Sequence, residues 1–282
     1  MDAECLNYCL TKKENQQFEQ DGFFIVENAL PPELVENLIS SVDRLLRQHR
    51  EKNGIAEHET VNMLDFVGKD ELFLELLDWP KTFPKVWGIL GWNIQLYHSH
   101  MVITPPRSTN EELPKRRLGW HQDSGRLNIE LQGDPRPRVS LKVAFFLSDT
   151  SELGCGNFSI VPGSHQSNEL KIPQDNVSDP EGALAVRVPP GTAVFFDRRL
   201  WHSASPNYSN ITRKVLFYGY SYRWLRPRDD MTVEHLIDQC DPIRQQLLGA
   251  STGGMGYTSP QERDVPLKPW LSEHLGVEAV AP

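Results

Sequence analysis

Two imidazoles and one carboxylate are spaced so that they could bind one metal ion. In an extended segment residues i and i+2 point to the same side, so His121 and Asp123 of the His121-Gln122-Asp123 motif can face one ion. His202 lies 79 positions after Asp123, where a rolled sheet can return beside the first motif. On its own, the His-x-Asp motif favours a structural hydrogen-bonded pair over a metal site. The full set leaves three open positions on an octahedral ion and is typical of non-haem iron(II) oxygenases.

An arginine at the start of a core strand adds a candidate anion site. Arg213 lies eleven residues after His202 and leads into the apolar pattern Val215-Leu216-Phe217-Tyr218. A guanidinium in that position must meet an anion or a satisfied hydrogen-bond network, and its planar fork matches a carboxylate. This geometry suits the distal carboxylate of 2-oxoglutarate, whose other end would chelate the iron.

The same residues lie within longer segments that carry a family pattern. The segments are residues 18–27 (FEQDGFFIVE), Trp120-His121-Gln122-Asp123, residues 156–165 (GNFSIVPGSH), and His202 with Asn207 and Arg213. Over roughly residues 11–228 the chain resembles the phytanoyl-CoA dioxygenase-like family of iron(II)- and 2-oxoglutarate-dependent oxygenases. The resemblance implies a mainly β fold with flanking helices, a double-stranded β-helix of the jelly-roll, cupin-like type.

The resemblance also implies roles for individual residues. His121, Asp123 and His202 carry over as the catalytic metal ligands, and Arg213 as the anchor of 2-oxoglutarate; the cofactors are then Fe(II), 2-oxoglutarate and O2. Family members often place a hydroxyl two residues after the distal histidine, where this chain has Ala204. Candidates for a second cosubstrate contact are therefore the flanking Ser203 and Ser205, together with His98 and His100 on the preceding strand, of which His100 is preferred.

The identity of one ligand bears on the outcome of the reaction. Halide-transferring relatives carry a small residue where this chain has Asp123, so the resemblance implies hydroxylation, with desaturation or ring formation left open. His165 follows the Pro-Gly-Ser turn, and we expect it to cap that bend instead of binding iron.

Periodicity predicts the elements that position these residues. Thr11 is expected to cap a helix through Phe18, and a second, amphipathic helix is expected to begin near Pro32. Residues 69–92 are predicted to be helical, broken at Trp79-Pro80 and Phe83-Pro84. Strands are predicted at residues 94–104, 118–122, 139–147, 157–161, 184–188, 192–197 and 213–222.

The order of these elements predicts one catalytic domain over residues 1–282. Residues 1–93 form an N-terminal support of helices and a strand, residues 94–228 the β core, and residues 229–282 a C-terminal helix and coil. Several short strands with frequent turn signals favour a jelly-roll.

Composition limits the classes of partner. A net charge of −9 argues against a nucleic-acid binder, and no apolar run reaches the length of a membrane span. The N-terminus lacks the pattern of a secretory signal, which favours a cytoplasmic location. The four scattered cysteines predict reduced thiols without a shared role. The oligomeric state is left open.

The substrate is expected to be a small molecule. Basic clusters that could face a site mouth favour an anionic one, although ordinary solvated charges explain them equally well. The clusters are Lys115-Arg116-Arg117, Arg198-Arg199, and Arg223, Arg226 and Arg228. Two other functions stay open: an inactive β-helix binding module, and a cupin-like metalloenzyme that uses no 2-oxoglutarate.

Overall fold

The computed structural model describes residues 1–107, 119–175, 178–251 and 260–280. Within those ranges the helices are α1 (Lys12–Asp21), α2 (Pro32–Asn53), α3 (Glu71–Glu75), α4 (Phe83–Leu90), α5 (Gly125–Glu130), α6 (Glu234–Ile237), α7 (Pro242–Leu247) and α8 (Leu267–Leu275). The strands are β1 (Phe23–Val26), β2 (Val61–Leu64), β3 (Ile94–Thr104), β4 (Ser140–Phe146), β5 (Phe158–Ile160), β6 (Leu184–Val186), β7 (Thr192–Asp197), β8 (His202–Ala204) and β9 (Arg213–Tyr222). None of the helices described has the length and apolar composition that a membrane crossing requires.

Two antiparallel sheets face each other and confirm the predicted jelly-roll. The larger sheet has the strand order β1-β7-β4-β9-β3-β2, and the smaller sheet has the order β6-β5-β8. The described strands do not close into a barrel, since β1 and β2 are free edges of the larger sheet. The smaller sheet matters most for function because β8 begins with His202.

The central strands of the larger sheet are buried on both faces. In β4, Leu141, Val143 and Phe145 pack in the large core on the side of the helices, while Ala144 and Phe146 pack between the two sheets. The period-two alternation of a strand produces this division. Burial of each such large apolar side chain contributes roughly 1.5–3 kcal/mol.

Strand β9 divides in the same way and thereby directs its first residue inward. Tyr218 and Tyr220 lie in the large core, where their hydroxyls donate to the carbonyls of Phe73 and Leu77, both at 2.7 Å. The alternate residues Val215 and Phe217 lie between the sheets, and Arg213 shares their parity.

The two N-terminal helices begin where the sequence predicted. Thr11 caps α1 in a complete capping box with Glu14, whose carboxylate accepts from the Thr11 amide at 2.8 Å. Helix α2 begins at Pro32 and buries Val35, Leu38 and Val42.

Three sequence predictions differ from the structure. Among the described residues of 118–122 there is only an isolated bridge at His121, so the predicted strand is wrong in extent. Phe83-Pro84 begins α4 instead of breaking a helix, because a proline in the first turn lacks only an N–H that would be unpaired there anyway. Strands β2 and β8 were not predicted, since four and three residues give too short a pattern.

A β-bulge in β3 changes which residues face the interior. The pairing with β9 shifts between Leu96 and His98, so Tyr97 and His98 are both displaced from simple alternation. Gly219 lies opposite the bulge, where a Cβ would lie 2.8 Å from Cε1 of Tyr97 and 3.2 Å from the carbonyl oxygen of His98. Because Gly219 has no side chain, the ring of Tyr97 can occupy the space beside it.

We expect Gly219→Ala to lower the free energy of unfolding by about 1–3 kcal/mol, because the added methyl overpacks the bulge. The midpoint of chemical denaturation measures this loss. Gly125→Ala is the matched control, since a Cβ there would meet nothing within 4 Å. An unchanged midpoint for Gly219→Ala would contradict the role given to the bulge.

Candidate metal centre and cosubstrate pocket

Backbone hydrogen bonds bring the three predicted metal ligands together. The amide of His121 donates to the carbonyl of His202 and the amide of His202 donates back to the carbonyl of His121, both at 3.0 Å. The amide of Asp123 donates to the carbonyl of Arg198 at 2.9 Å. One ligand atom from each of His121, Asp123 and His202 then lies within 4.8 Å of the others.

The two imidazoles are oriented in the same way. Nδ1 of His121 lies 2.9 Å from the carbonyl oxygen of Gly119, and Nδ1 of His202 lies 2.8 Å from that of Leu200. A carbonyl can only accept, so each Nδ1 carries the proton and each Nε2 keeps its lone pair for a metal.

The middle residue of the His-Gln-Asp motif is held by backbone carbonyls of two other segments. Nε2 of Gln122 donates to the carbonyls of Arg199 at 2.6 Å and Ser167 at 3.0 Å. Gln122 thus ties the motif to two loops, as the alternation predicted for this segment requires.

Asp123 has one paired and one unpaired carboxylate oxygen. Nζ of Lys142 donates to Oδ1 at 2.8 Å, whereas Oδ2 is buried without a hydrogen-bond partner. Burial alone would raise the pKa of Asp123, but the positive charge of Lys142 holds the pKa below its usual value. Burial lowers the pKa of His202 to about 4, so its imidazole is neutral at neutral pH.

These donors fit a divalent metal ion. Two imidazole nitrogens and a buried carboxylate oxygen that lacks a partner converge on one point. Such an oxygen is costly to bury unless it binds something. The arrangement agrees with the prediction that His121, Asp123 and His202 hold iron(II) and leave positions for other ligands.

Arg213 is a buried cation that pairs with no carboxylate among the described residues. Its side chain extends over the ring of Phe146, with the guanidinium carbon 5.7 Å from the centroid, and its Nε has no partner. Burial lowers its pKa to about 10. A Cβ on Gly156 would lie 3.0 Å from Cδ of Arg213, so the glycine leaves room for the side chain. An unpaired buried guanidinium in the cavity of the metal ligands is a site for an anion.

The other predicted cosubstrate contacts are placed differently from one another. Ser203 and Ala204 line the cavity, whereas Oγ of Ser205 lies 3.2 Å from the carbonyl oxygen of Asn157, which it contacts as donor. His100 also lines the cavity, with Nε2 3.2 Å from Oδ1 of Asn62. Burial lowers the pKa of His100 to about 3, so this ring is neutral. The roles of Ser203, Ser205 and His100 in binding cosubstrate stay predictions.

Lys142 belongs to the site and was not predicted from the sequence. It is the one charged residue in β4, whose seven residues are all buried. A lysine in a fully buried strand signals a buried ion pair, and that signal was available before the structure was known. The sequence does not indicate which residue pairs with Lys142, because Asp123 lies on another segment.

His165 is not part of the ligand cluster. Its Nε2 lies 3.2 Å from the carbonyl oxygen of Glu19, where α1 ends. A Cβ on Gly22 would lie 2.5 Å from Nδ1 of His165. The ring therefore packs the Pro-Gly-Ser turn against the first helix, in keeping with the structural role expected for it.

The basic clusters predicted to bind an anionic substrate lie in different environments. Arg198 donates to Asn128 at 2.5 Å, and Arg199 pairs with Asp197 at 2.7 Å, so both serve the structure. The Arg198-Arg199 part of the prediction is therefore wrong: both side chains are buried and occupied. Arg223 is buried and does not line the cavity, whereas Arg226 and Arg228 do. Lys115-Arg116-Arg117 lies outside the described residues.

The cavity that contains these groups has a volume of about 820 Å³. Its polar lining includes the three candidate ligands, Lys142 and Arg213. Its apolar lining is formed by aromatic and aliphatic side chains, namely Val102, Leu127, Phe158, Phe196, Phe217 and Leu225.

Comparison with known proteins identifies the family to which this chain belongs. The family model for phytanoyl-CoA dioxygenase (PhyH) matches residues 18–215. The ectoine dioxygenase of Bordetella parapertussis is 26% identical over 241 residues, which cover 75% of this chain and 75% of that protein. The probable alpha-ketoglutarate-dependent hypophosphite dioxygenase of Stutzerimonas stutzeri is 24% identical over 243 residues, covering 74% and 78%.

A solved structure shows the same fold. HygX from Streptomyces hygroscopicus, determined with nickel and 2-oxoglutarate bound, matches with a TM-score of 0.61 and 18% identity. The match covers 78% of this chain and 90% of HygX. At that identity the likeness concerns the fold.

We expect Asp123→Ala to lower the affinity for Fe(II) by at least about 100-fold, because one of three ligands is lost. This variant also leaves Lys142 as an unpaired buried charge, which costs about 3–5 kcal/mol of stability. Calorimetry under anaerobic conditions measures the affinity, and denaturation measures the stability.

The double variant Asp123→Ala/Lys142→Met separates the two effects. It removes both charges, so we expect it to regain stability without regaining Fe(II) affinity. Tight Fe(II) binding by the stable double variant would remove Asp123 from the metal site.

Proposed function

Because the chain belongs to the phytanoyl-CoA dioxygenase family, we propose that it is an Fe(II)- and 2-oxoglutarate-dependent dioxygenase that hydroxylates an unactivated C–H bond of a small-molecule substrate. The observation that carries this proposal is a pair of unsatisfied groups in one cavity. Oδ2 of Asp123 lacks a donor, and the guanidinium of Arg213 lacks an anion among the described residues. A metal ion and a dicarboxylate satisfy both.

Each residue then has a defined part. His121, Asp123 and His202 would hold the iron within the cavity that they line. Arg213 holds the distal carboxylate of 2-oxoglutarate through charge-assisted hydrogen bonds. Lys142 orients Asp123 so that Oδ2 faces the metal. The apolar wall that includes Phe196 excludes water from the reacting atoms.

When bound, iron and 2-oxoglutarate supply the oxidising power. In the overall reaction O2 is divided between the two organic molecules: one oxygen atom enters the C–H bond of the substrate, and the other enters succinate as 2-oxoglutarate loses CO2. The protein positions the substrate carbon and keeps competing molecules away. Asp123 fills the position where a halide would need room, which supports hydroxylation over halogenation.

The cavity also supports a negatively charged substrate. Its described lining includes Lys142, Arg213, Arg226 and Arg228, against Asp123 as the counter-charge. One bound 2-oxoglutarate dianion and one Fe(II) ion leave this positive balance in place, so we propose that the substrate is anionic.

Two predictions accompany this function without a test in the structure. They are the organisation of residues 1–93, 94–228 and 229–282 as one catalytic domain and the cytoplasmic location. We propose both as the setting of the reaction.

Two alternatives make different demands on the site. An inactive binding module would not need a metal ligand set that meets at one point, with both imidazoles held in the same tautomer. A cupin-like metalloenzyme would not need Arg213, and a buried arginine without a role is costly. The intact set therefore favours the dioxygenase.

Arg213→Met tests the proposal against both alternatives. We expect the KM for 2-oxoglutarate to rise about 100-fold, since a buried charged contact to the distal carboxylate is lost. Succinate formation with anaerobically loaded Fe(II) measures this, and Arg187→Met, a surface arginine paired with Glu152 at 3.4 Å, is the control.

The alternatives predict other results. No succinate from the parent protein with Fe(II) bound would indicate a binding module or a metalloenzyme without 2-oxoglutarate. An unchanged KM in Arg213→Met would show that the cosubstrate is held elsewhere.

A further inference from the structure

Arg226 and Arg228 flank Pro227, which follows the end of β9, and both arginines line the cavity. Hydrogen bonds hold this segment on either side of the proline. Nε2 of Gln95 donates to the carbonyl of Leu225 at 2.8 Å, and the amide of Arg228 donates to the carbonyl of Tyr97 at 2.8 Å. The proline ring restricts the backbone between them. The two guanidinium groups therefore extend from a fixed stretch of backbone beside the cavity.

Arg228 is an exposed residue, and a buried pair, His98 and Asp229, orients its guanidinium through hydrogen bonds. Nδ1 of His98 lies 2.7 Å from Oδ1 of Asp229, and Nε2 of His98 lies 3.1 Å from Nη1 of Arg228. The other oxygen of Asp229 accepts from Oγ of Ser99 at 3.3 Å and from the amide of Ser99. Asp229 is therefore fixed by the backbone of β3.

The direction of the protons in this chain follows from what each group can donate. A carboxylate only accepts and a guanidinium only donates. His98 must therefore donate through Nδ1 to Asp229 and accept through Nε2 from Arg228. Burial lowers the pKa of His98, which favours the neutral ring that this role requires. In the described part of the chain only Nη1 of Arg228 has a hydrogen-bond partner, so Nη2 and Nε stay available to a ligand.

The charges in the cavity show which cations lack a counter-ion. Lys142 pairs with Asp123, and Arg126 pairs with Glu130 at 2.6 Å. Arg226 and Arg228 form no ion pair in the described part of the chain, and Arg213 is assigned to the cosubstrate. Two guanidinium groups on one short segment are thus left for a ligand.

We infer that Arg228, positioned by Asp229 through His98 and assisted by Arg226, anchors an oxyanion group of the substrate. The group is a carboxylate, phosphonate or phosphate, because a guanidinium matches two oxygens of such a group. The inference rests on the proposed function, since Arg213 must be occupied by 2-oxoglutarate for the second anion to be the substrate. It adds a specificity-determining residue to the site.

Pairs of probes with and without a negative charge on the same carbon chain test this anchor. Pentanoate is compared with pentanamide, and butylphosphonate with its neutral dimethyl ester. Binding is measured by calorimetry on the protein loaded with Ni(II), a redox-inert substitute for Fe(II), and with saturating 2-oxoglutarate. Loading is measured first. Failure to bind Ni(II) and 2-oxoglutarate would contradict the proposed function. If the protein binds both but then binds the anionic and neutral probes equally, only the proposed anchor is contradicted.

We expect each anion to bind at least about tenfold more tightly than its neutral partner, as expected for a hydrogen-bonded charged group. Arg228→Met should reduce that ratio to near one, and Arg228→Lys should retain part of it. Arg187→Met, with the same change in net charge at a surface site, should keep the full ratio. Equal binding of anion and neutral partner, or an equal fall of the ratio in Arg187→Met, would overturn the inference.

Asp229→Asn tests the positioning chain. The amide of Asn can donate to Nδ1 of His98, which then carries its proton on Nε2 and cannot accept from Arg228. We expect a partial loss of the anion preference in Asp229→Asn and none in Asp230→Asn, the exposed neighbour. A full preference in Asp229→Asn would remove His98 and Asp229 from the anchor.

Discussion

The reciprocal hydrogen bonds between the backbones of His121 and His202 are the constraint on which the site depends. They add the first metal motif to the edge of the smaller sheet beside β8. Because the residues are directly opposite, both side chains project to the same side, and the rings lie with centroids 4.3 Å apart. A shift of one residue in this pairing would turn one imidazole away.

Buried charge is the second determinant of the cavity. Lys142 and Asp123 neutralise each other in the centre, while Arg213 at the start of β9 has no internal counter-ion among the described residues. A charge in a low-dielectric interior costs free energy unless it is paired. A ligand that pairs with the guanidinium of Arg213 would therefore stabilise the protein. The metal and the cosubstrate would supply what the fold leaves unsatisfied.

The sequence predicted the parts of the structure that depend on local pattern. Strands β7 and β9 begin and end where alternation and turn residues placed them. Residue type and spacing also predicted that His121, Asp123 and His202 would lie together. The resemblance to a family then named the fold, which the comparisons confirm.

What the sequence did not predict depends on contacts between distant segments. The bulge at Tyr97 is visible only in the pairing with β9, and it is what brings His98 toward Arg228. The pairing of Lys142 with Asp123 and the structural use of Arg198 and Arg199 likewise depend on which segments meet. Charge and hydrophobicity along the chain contain no record of those partners.

The most direct measurement of the central claim is the visible absorption of the anaerobic protein during titration with Fe(II) and 2-oxoglutarate. Chelation of iron(II) by the 2-oxo acid gives a charge-transfer band that neither component shows alone. The account predicts this band in the parent protein and its loss in the stable double variant Asp123→Ala/Lys142→Met. Iron binding without the band at saturating 2-oxoglutarate would contradict the claim that metal and cosubstrate share this cavity.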